Sequence, residues 1–234
     1  IAYRNNSSAD GEAIVGTVSG TSISFGTAVT FESASSGINY IATAYDANAE
    51  KVVIAYQDGD DSNYGKAIVG TVSGTSISFG TAATFESADT QHISATYDAN
   101  AQKVAIFYQD RGNSYAGTGI VGTISGTSIS FGSPATFLAS QAWNMSSSYD
   151  SGSQKIVVIY SDRNTAGSNT WHGNLVVGTI SGTSISFGSP LVYEAAYTAY
   201  SQDIAYDANA QRHGIIYADG GNSYYGTAIV AEAV

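Results

Sequence analysis

The sequence contains no cysteine, only two prolines, and only eight basic residues against nineteen acidic ones. Without cysteine the chain has neither a disulfide framework nor a thiolate metal site. A formal net charge of −11 leaves no basic stripe of the kind that nucleic acid binding requires, and it disfavours an anionic membrane surface. The sequence also lacks an apolar run of about 18 residues, so no transmembrane helix is predicted. We expect no nucleic acid partner and no membrane insertion.

The residues that are abundant point to an all-β protein with a packed core. Hydrophobic residues make up 43% of the chain and aromatic residues 12%, which is enough apolar surface to exclude general disorder. Glycine occurs 26 times, and Thr, Ser, Val, Ile and Tyr are frequent. β-branched and aromatic residues favour strands, whereas glycine favours tight turns. The composition therefore predicts strands joined by short turns.

One motif, VGTVSGTSISFG, recurs along the chain and sets its organisation. Two copies have this wording, two read VGTISGTSISFG, and a fifth alignment position ends the chain as VAEAV. A near-constant period of this length is typical of stacked or radially arranged supersecondary units. The sequence therefore predicts a single repeat domain over residues 1–234. The anchoring segments are 15–26, 69–80, 121–132, 177–188 and 230–234, which gives a period of 52 to 56 residues.

Each period contains four strand-like runs of different character. The first is rich in small residues, as in Ile41–Tyr45, and a tight turn opened by Asp46 follows, with Asn48 expected to take a positive φ. The second run, Val52–Tyr56, is almost continuously apolar, which predicts burial on both faces. The fourth alternates between apolar and polar residues from Ile23 to Phe31. Such alternation is typical of a half-exposed outer strand.

This gradient from small to apolar to half-polar strands predicts a β-propeller of four-stranded antiparallel blades. A small-residue strand suits a crowded axis, and a half-polar strand suits the rim. Five blades with incomplete first and last members account for all 18 strand-like runs, whereas four blades, the alternative, leave two runs without a place. The opening Ile1-Ala2-Tyr3 matches the middle of a later strand, Ile54-Ala55-Tyr56. That match predicts a processed, trimmed or fragmentary N-terminus.

The long connections carry the candidate binding residues. Strands of a meander alternate in direction, so the short turns share one end and the long connections share the other, where the repeats differ most. A constant frame with divergent loops is how binding surfaces are commonly built. Aromatic faces stack on sugars, and neighbouring aspartates bond sugar hydroxyls. The predicted ligand-binding residues are the loop aromatics and histidine, Tyr64, Tyr115, Trp143, Trp171, Tyr200, Tyr224 and His92, and the second-strand aspartates, Asp58, Asp110, Asp162 and Asp219.

Both groups also have a structural interpretation. Tyr64, Tyr115 and Tyr224 recur at matching places after Asn and Ser residues, which packing between blades would also produce. An aspartate at a strand end more often caps the following loop by accepting backbone N–H groups. The segment 58–63 resembles an oxygen-rich calcium loop, yet it lacks the distal bidentate glutamate and occurs in one repeat only. No metal and no cofactor is predicted.

The repeat as a whole, YDANAxKVxIxYxD followed by AIVGTVSGTSISFG, resembles the near-identical blades of lectin-type β-propellers such as the tachylectin-like family. It is also similar to adhesion repeats in tail-fibre-type proteins of bacteriophages. The resemblance implies glycan binding between blades, multivalent through repetition. The leading hypothesis is a non-catalytic carbohydrate-binding or adhesion module whose partner is a glycan or a glycosylated surface. Its predicted place is extracellular, or on a virion or cell surface.

Two hypotheses from other classes stay open. One is a structural or protein-interaction propeller that assembles with other structural proteins of a virion or surface filament. The other is a glycoside-processing enzyme, which requires two carboxylates in different environments. Most acids of this chain recur at turns and strand ends, and Asp60 and Asp203 are the single-copy candidates. The chain is therefore predicted not to be an enzyme.

Overall fold

The structure is a computed structural model that describes residues 1–163, 171–195 and 198–232, with the backbone alone for residues 163 and 198–200. Within these ranges the regular structure is all β, apart from two single-turn 3-10 helices, Arg111–Asn113 and Gly220–Asn222. The predicted fold class is confirmed at this level. No helix in the same ranges is long and apolar enough to cross a membrane.

The strands form antiparallel sheets that follow one another along the chain, and we number five of them in chain order. Sheet 1 contains β1 (Ala2–Arg4), β2 (Gly11–Ala13) and β5 (Val29–Glu32), with a separate hairpin of β3 (Gly16–Ser19) and β4 (Ser22–Phe25) attached to it. Sheet 2 contains β6 (Ile38–Asp46), β7 (Lys51–Asp58), β8 (Tyr64–Ser73), β9 (Ser76–Phe79) and β10 (Ala83–Glu86). Sheet 3 contains β11 (Thr90–Asp98), β12 (Lys103–Asp110), β13 (Ala116–Ser125), β14 (Ser128–Phe131) and β15 (Ala135–Leu138). Sheet 4 contains β16 (Ala142–Asp150), β17 (Lys155–Arg163), β18 (Trp171–Ser181), β19 (Ser184–Phe187) and β20 (Leu191–Glu194). Sheet 5 contains β21 (Thr198–Asp207), β22 (Arg212–Asp219) and β23 (Tyr225–Ala231).

The outer strand of each repeat is divided. In sheet 2 the order runs β6-β7-β8, and β9 and β10 then pair with opposite halves of β8. Sheets 3 and 4 repeat this pattern. The predicted uninterrupted strand from Ile23 to Phe31 is therefore wrong, because the segment 26–28 belongs to neither half. The 18 predicted runs appear as 23 strands in the described residues, since the third strand of sheet 1 is divided as well.

The division of the outer strand lies where consecutive sheets approach most closely. Gly80 lies against the hairpin turn of sheet 3, and a Cβ on it would stand 1.9 Å from the carbonyl oxygen of Thr127. Gly26 and Gly132 meet the hairpin of the following sheet at the same distance. The hairpin turn requires glycine for a different reason, because Gly74 has a φ of 61°, a conformation that glycine adopts without steric cost.

The turn between the first and second strands is built by an aspartate. Asp98 Oδ1 accepts the backbone N–H groups of Asn100 and Ala101, each at 2.9 Å, as expected of an Asp-initiated turn. The prediction of a positive φ at the Asn position is wrong, because Gln102 adopts it, at 55°. Both amides point at the carboxylate, so the chain enters the left-handed region only after them.

Consecutive sheets pack face to face through contacts that recur from repeat to repeat. Phe85 of sheet 2 packs on Tyr108 of sheet 3 with ring centroids 5.1 Å apart, and the Tyr108 hydroxyl donates to Glu86 at 3.0 Å. Residues Val104 to Tyr108 are fully buried, which confirms that the second strand is covered on both faces. The first strands β6, β11, β16 and β21 lie side by side.

Sheets 1 and 5 are incomplete, as the sequence predicts for the first and last repeats. The first strand of sheet 1, β1, is equivalent to the second strand of the other repeats. It has three residues, whereas its equivalent in sheet 2, β7, has eight. A cavity of about 330 Å³ lies between sheets 1 and 2 beside this short strand. Sheet 5 has no fourth strand among the described residues.

The close approach at Gly80 gives a prediction with an internal control. We expect Gly80→Ala to destabilise the fold by about 1 to 3 kcal/mol, because the new methyl group overlaps a backbone carbonyl that cannot swing away. Gly188 holds the same position in sheet 4, but its nearest contact would be 3.8 Å away, so Gly188→Ala should change stability by less than about 0.5 kcal/mol. Thermal unfolding followed by circular dichroism measures both, and equal losses in the two variants would contradict the packing argument.

Candidate functional site

The long connections gather at one end of the sheets, as predicted. The loops after the second strands bond to the linkers that precede the first strands: Gly59 N–H donates to Gly37 O at 3.0 Å, and Thr90 N–H donates to Asn63 O at 3.0 Å. In sheet 4 the Ala142 N–H reaches back to Tyr115 O at 3.1 Å. The short turns lie at the other end, because each paired strand runs from one end to the other.

The predicted aspartates hold these loops together. Asp110 and Asp219 each accept the backbone N–H three residues later, at 3.1 Å, and so cap the two 3-10 turns. Asp58 accepts from Asp60 N–H at 3.0 Å and from Lys66 Nζ at 2.8 Å. Asp162 accepts from the Ser140 hydroxyl at 3.0 Å. Each of these carboxylates thus accepts a hydrogen bond at the loop end. This agrees with the interpretation that the strand-end aspartates stabilise the loops.

The tyrosines of the loops do not occupy matching places. Strand register pairs Asp58 with Tyr64, whereas it pairs Asp110 with Ala116. Tyr64 is therefore one residue out of step with Tyr115, whose counterpart in sheet 2 is Asn63. Tyr115, Tyr224 and Asn63 share a positive φ, at 65°, 62° and 63°. The predicted correspondence of Tyr64 with Tyr115 and Tyr224 is wrong, because Tyr64 follows its strand-end aspartate by six residues, whereas the other two follow theirs by five.

Four aromatic side chains form a continuous row at the long-loop end. The ring of Tyr40 lies 5.2 Å from His92, His92 lies 4.8 Å from Trp143, and Trp143 lies 5.3 Å from Trp171, measured between centroids. The row crosses sheets 2, 3 and 4. Three of its members were predicted as binding residues, whereas Tyr40 was not. Its alignment with His92 at the start of the first strand is the signal that could have found it.

A bulge at the start of each first strand builds this row. The pairing register shifts between residues 39 and 42 in β6 and between 91 and 94 in β11. Tyr40 and His92 sit in these bulges with φ of 49° and 50°. In β16 Asn144 takes that conformation, at 50°, and the aromatic residue, Trp143, stands one place earlier. Bulges re-aim side chains at the ends of sheets, and here they bring rings from different repeats together.

Burial gives the row its electrostatic character. His92 and Trp143 are half-buried, and burial lowers the pKa of His92 to about 4, so the imidazole is neutral at pH 7. His92 Nε2 and Trp143 Nε1 are buried without a hydrogen-bond partner among the described residues. Unpaired buried polar atoms are uncommon in folded proteins. The row therefore combines apolar ring faces with two unsatisfied ring nitrogens.

Polar side chains link neighbouring sheets at the same end. Arg4 Nη1 donates to Asn39 Oδ1 at 3.0 Å, and Asn39 Nδ2 donates to Gln57 Oε1 at 3.2 Å. Gln57 Nε2 donates to Asp89 Oδ1 at 2.9 Å, and Asp89 pairs with Arg111 at 2.6 Å. Asn39 directly precedes Tyr40, so this network of amide and charged side chains lies beside the aromatic row.

Tyr115 and Tyr224 lie apart from this row. Arg111 covers the ring of Tyr115 at 5.1 Å, and Tyr224 is 57% exposed on sheet 5. The side chain of Tyr200, a predicted binding residue, lies outside the described residues. The structure therefore brings together His92, Trp143 and Trp171 but not the recurring loop tyrosines.

The loop at 58–63 directs its carboxylates to protein partners. Lys66 pairs with Asp58 at 2.8 Å and with Asp61 at 2.9 Å. Asp60 accepts the N–H groups of Ser35 and Ser36 at 2.8 and 2.6 Å. The Ser36 side chain, together with these N–H groups, lowers the pKa of Asp60 to about 2. Over the three described ranges, no cluster of three or more carboxylate and imidazole groups has the geometry of a metal site.

No protein-family model and no curated protein sequence matches this chain.

The neutral state of His92 predicts a pH dependence of stability. Its folded pKa lies below the ordinary value of about 6.5, so the unfolded chain takes up a proton first as pH falls. Stability is then lost progressively from about pH 6.5 down to pH 4, by roughly 1 to 2 kcal/mol in view of the partial exposure. His92→Phe keeps a ring but cannot be charged.

Urea unfolding at pH 7.5 and pH 5 measures this difference. The wild type should lose more stability than His92→Phe between the two pH values, with the carboxylates contributing equally to both proteins. An identical loss in the two proteins would show that His92 is not held neutral by the row.

Proposed function

We propose that the protein is a non-catalytic, carbohydrate-binding or adhesion module built as a β-propeller. Support for the propeller comes from the packing: sheets meet face to face, and the first strands of sheets 2 to 5 lie side by side as strands around an axis do. Five sheets, the first and last incomplete, match a five-bladed arrangement. The contact between an aromatic ring of one sheet and a tyrosine ring of the next recurs at all four interfaces.

The observation that carries the binding proposal is the row Tyr40, His92, Trp143 and Trp171. Sugars present apolar C–H faces together with hydroxyl edges, and half-exposed aromatic rings bind the former. Tyr40 is 38% exposed at one end of the row, and Trp143 and Trp171 are half-buried. The nitrogens of His92 and Trp143 are themselves buried, so the proposed contact is stacking on the exposed parts of the rings.

The acidic residues support a non-catalytic role. Glycoside hydrolysis uses a pair of carboxyl groups that face the scissile bond. Asp60 is bonded to the Ser35–Ser36 linker, and Asp203 accepts from the Ser146 hydroxyl at 2.6 Å. Glu32 and Glu86 accept the hydroxyl groups of Tyr56 and Tyr108. These carboxylates serve the frame of the protein.

Repetition supports an adhesive role. The same frame presents a long-loop end in each repeat, with different side chains on it, so several weak sites can act on one surface. Linked weak sites gain avidity when the target displays several copies of its ligand. A glycosylated cell or virion surface is a target of this kind, and it places the protein outside cells in this proposal.

Intrinsic fluorescence provides a direct test, because the only two tryptophans of the chain are both in the row. We expect oligosaccharides from a glycan array screen to shift this fluorescence. Trp143→Ala should weaken binding about tenfold, equivalent to about 1.4 kcal/mol, as expected for loss of one stacking surface.

The matched control is Tyr45→Ala, which removes an aromatic ring that is 56% exposed beside the short turn at the other end. This variant should bind like the wild type. Absence of any glycan that binds, or equal weakening in both variants, would overturn the carbohydrate proposal. Capture of another structural protein by the long-loop end would favour a protein-interaction role instead.

A further inference from the structure

Sheet 5 buries a histidine in its contact with sheet 4. His213 is 0% exposed, and both of its ring nitrogens are buried without a hydrogen-bond partner among the described residues. Strand register places it where Val104 and Ile156 stand in sheets 3 and 4, and each of these is also 0% exposed. Sheet 2 has Val52 at this position. A titratable ring thus occupies a place that sheets 2 to 4 give to an aliphatic side chain.

The ring of His213 points toward sheet 4. Side chains two places apart lie on the same face of a strand, and Ile215 forms a buried cluster with Val157 and Ile159 of sheet 4. Tyr206 stands opposite His213 on β21, and the centroids of the two rings are 5.0 Å apart. The contact lies between two described sheets, so it exists whatever covers the far face of sheet 5.

A buried carboxylate lies at the same place on sheet 4. Asp150 is 5% exposed and opens the turn between β16 and β17. The Gly152 N–H donates to Asp150 Oδ1 at 2.8 Å and to the Tyr206 hydroxyl at 3.2 Å. These bonds fasten the turn of sheet 4 to the first strand of sheet 5, beside His213.

Two basic side chains also lie near the ring. Lys155 lies on the face that sheet 4 turns toward sheet 5, and its Nζ donates to Thr179 Oγ1 at 2.9 Å. Arg212 directly precedes His213 on β22, so it points to the opposite face, where it pairs with Glu232 at 2.7 Å. Neither cation can stabilise an imidazolium, and the carboxylate of Glu232 is already paired.

His213 is neutral while the two sheets are in contact. Burial lowers its pKa, and the negative charge of Asp150 offsets this lowering only in part. When the sheets separate, the ring enters water and its pKa returns to the ordinary value of about 6.5. The opened form then binds a proton that the closed form excludes, so the contact loses stability as pH falls below about 6.5.

We propose that the contact between sheets 4 and 5 is an acid-sensitive joint. At neutral pH His213 packs as Val104 and Ile156 pack in their sheets, and the joint is closed. In mildly acidic solution protonation of His213 releases sheet 5 from sheet 4. The contacts among sheets 2, 3 and 4 stay closed, because an aliphatic side chain stands at this position in each of them.

Hydrogen exchange followed by mass spectrometry at pH 7.5 and pH 5 tests this joint. After correction for intrinsic exchange rates, the wild type should lose amide protection at pH 5 in β22 and β23, while β7 and β12 keep theirs. His213→Val introduces the side chain that Val52 and Val104 supply in sheets 2 and 3, so this variant should keep the protection of sheet 5 at pH 5. His213→Gln, which is polar but cannot be charged, should also show no change between the two pH values.

His92→Phe is the matched control, because it removes a different histidine, at the loop end of sheet 3. This variant should lose protection in sheet 5 as the wild type does. Full protection of β22 and β23 in the wild type at pH 5 overturns the inference. A loss shared equally by all sheets overturns it as well, since acid then unfolds the whole protein. An equal loss in His213→Val or His213→Gln does the same, because groups other than His213 then cause the opening.

Discussion

The structure depends on one constraint: the middle strands of each sheet are apolar on both faces, and a single repeat cannot cover both. In sheets 3 and 4 the second strands, β12 and β17, are buried from end to end of their apolar runs, and the cover comes from the neighbouring repeats. Burial of apolar surface is the main favourable term in folding. Each repeat therefore gains its stability from the next one, and the near-identity of the repeats follows from the need to fit a nearly identical neighbour.

The recurring contacts satisfy this constraint with little variation. A phenylalanine of one sheet meets a tyrosine of the next, and a glutamate accepts the tyrosine hydroxyl group. Sheet 3 departs from the pattern, because Leu138 stands where Glu86 stands in sheet 2, and the hydroxyl of Tyr160 has no partner among the described residues. The ring contact between Phe137 and Tyr160 persists at 5.1 Å. Ring packing thus maintains the interface where the hydrogen bond is missing.

The same constraint separates the frame, which is nearly constant from repeat to repeat, from the variable loop end. Strands and short turns meet the next sheet, so their residues have little freedom to change. The long loops bond mainly to one another and to the linkers, so their side chains can differ between repeats. The aromatic row at that end uses this freedom, with Tyr40, His92 and Trp143 taking neighbouring positions in successive sheets.

The sequence by itself determined the all-β class, the repeat boundaries, the doubly buried second strand and the shared end of the long loops, because these follow from local periodicity and from the alternating direction of strands. Only the tertiary structure decided where the outer strand divides, since the close approach of Gly80 to Thr127 joins residues of different sheets. It also decided which aromatics meet. Tyr40, His92, Trp143 and Trp171 come together through bulges that the strand pattern does not reveal, and a shift of one register position separates Tyr64 from Tyr115. Contacts between repeats depend on the distances between sheets, which the sequence of a single repeat does not specify.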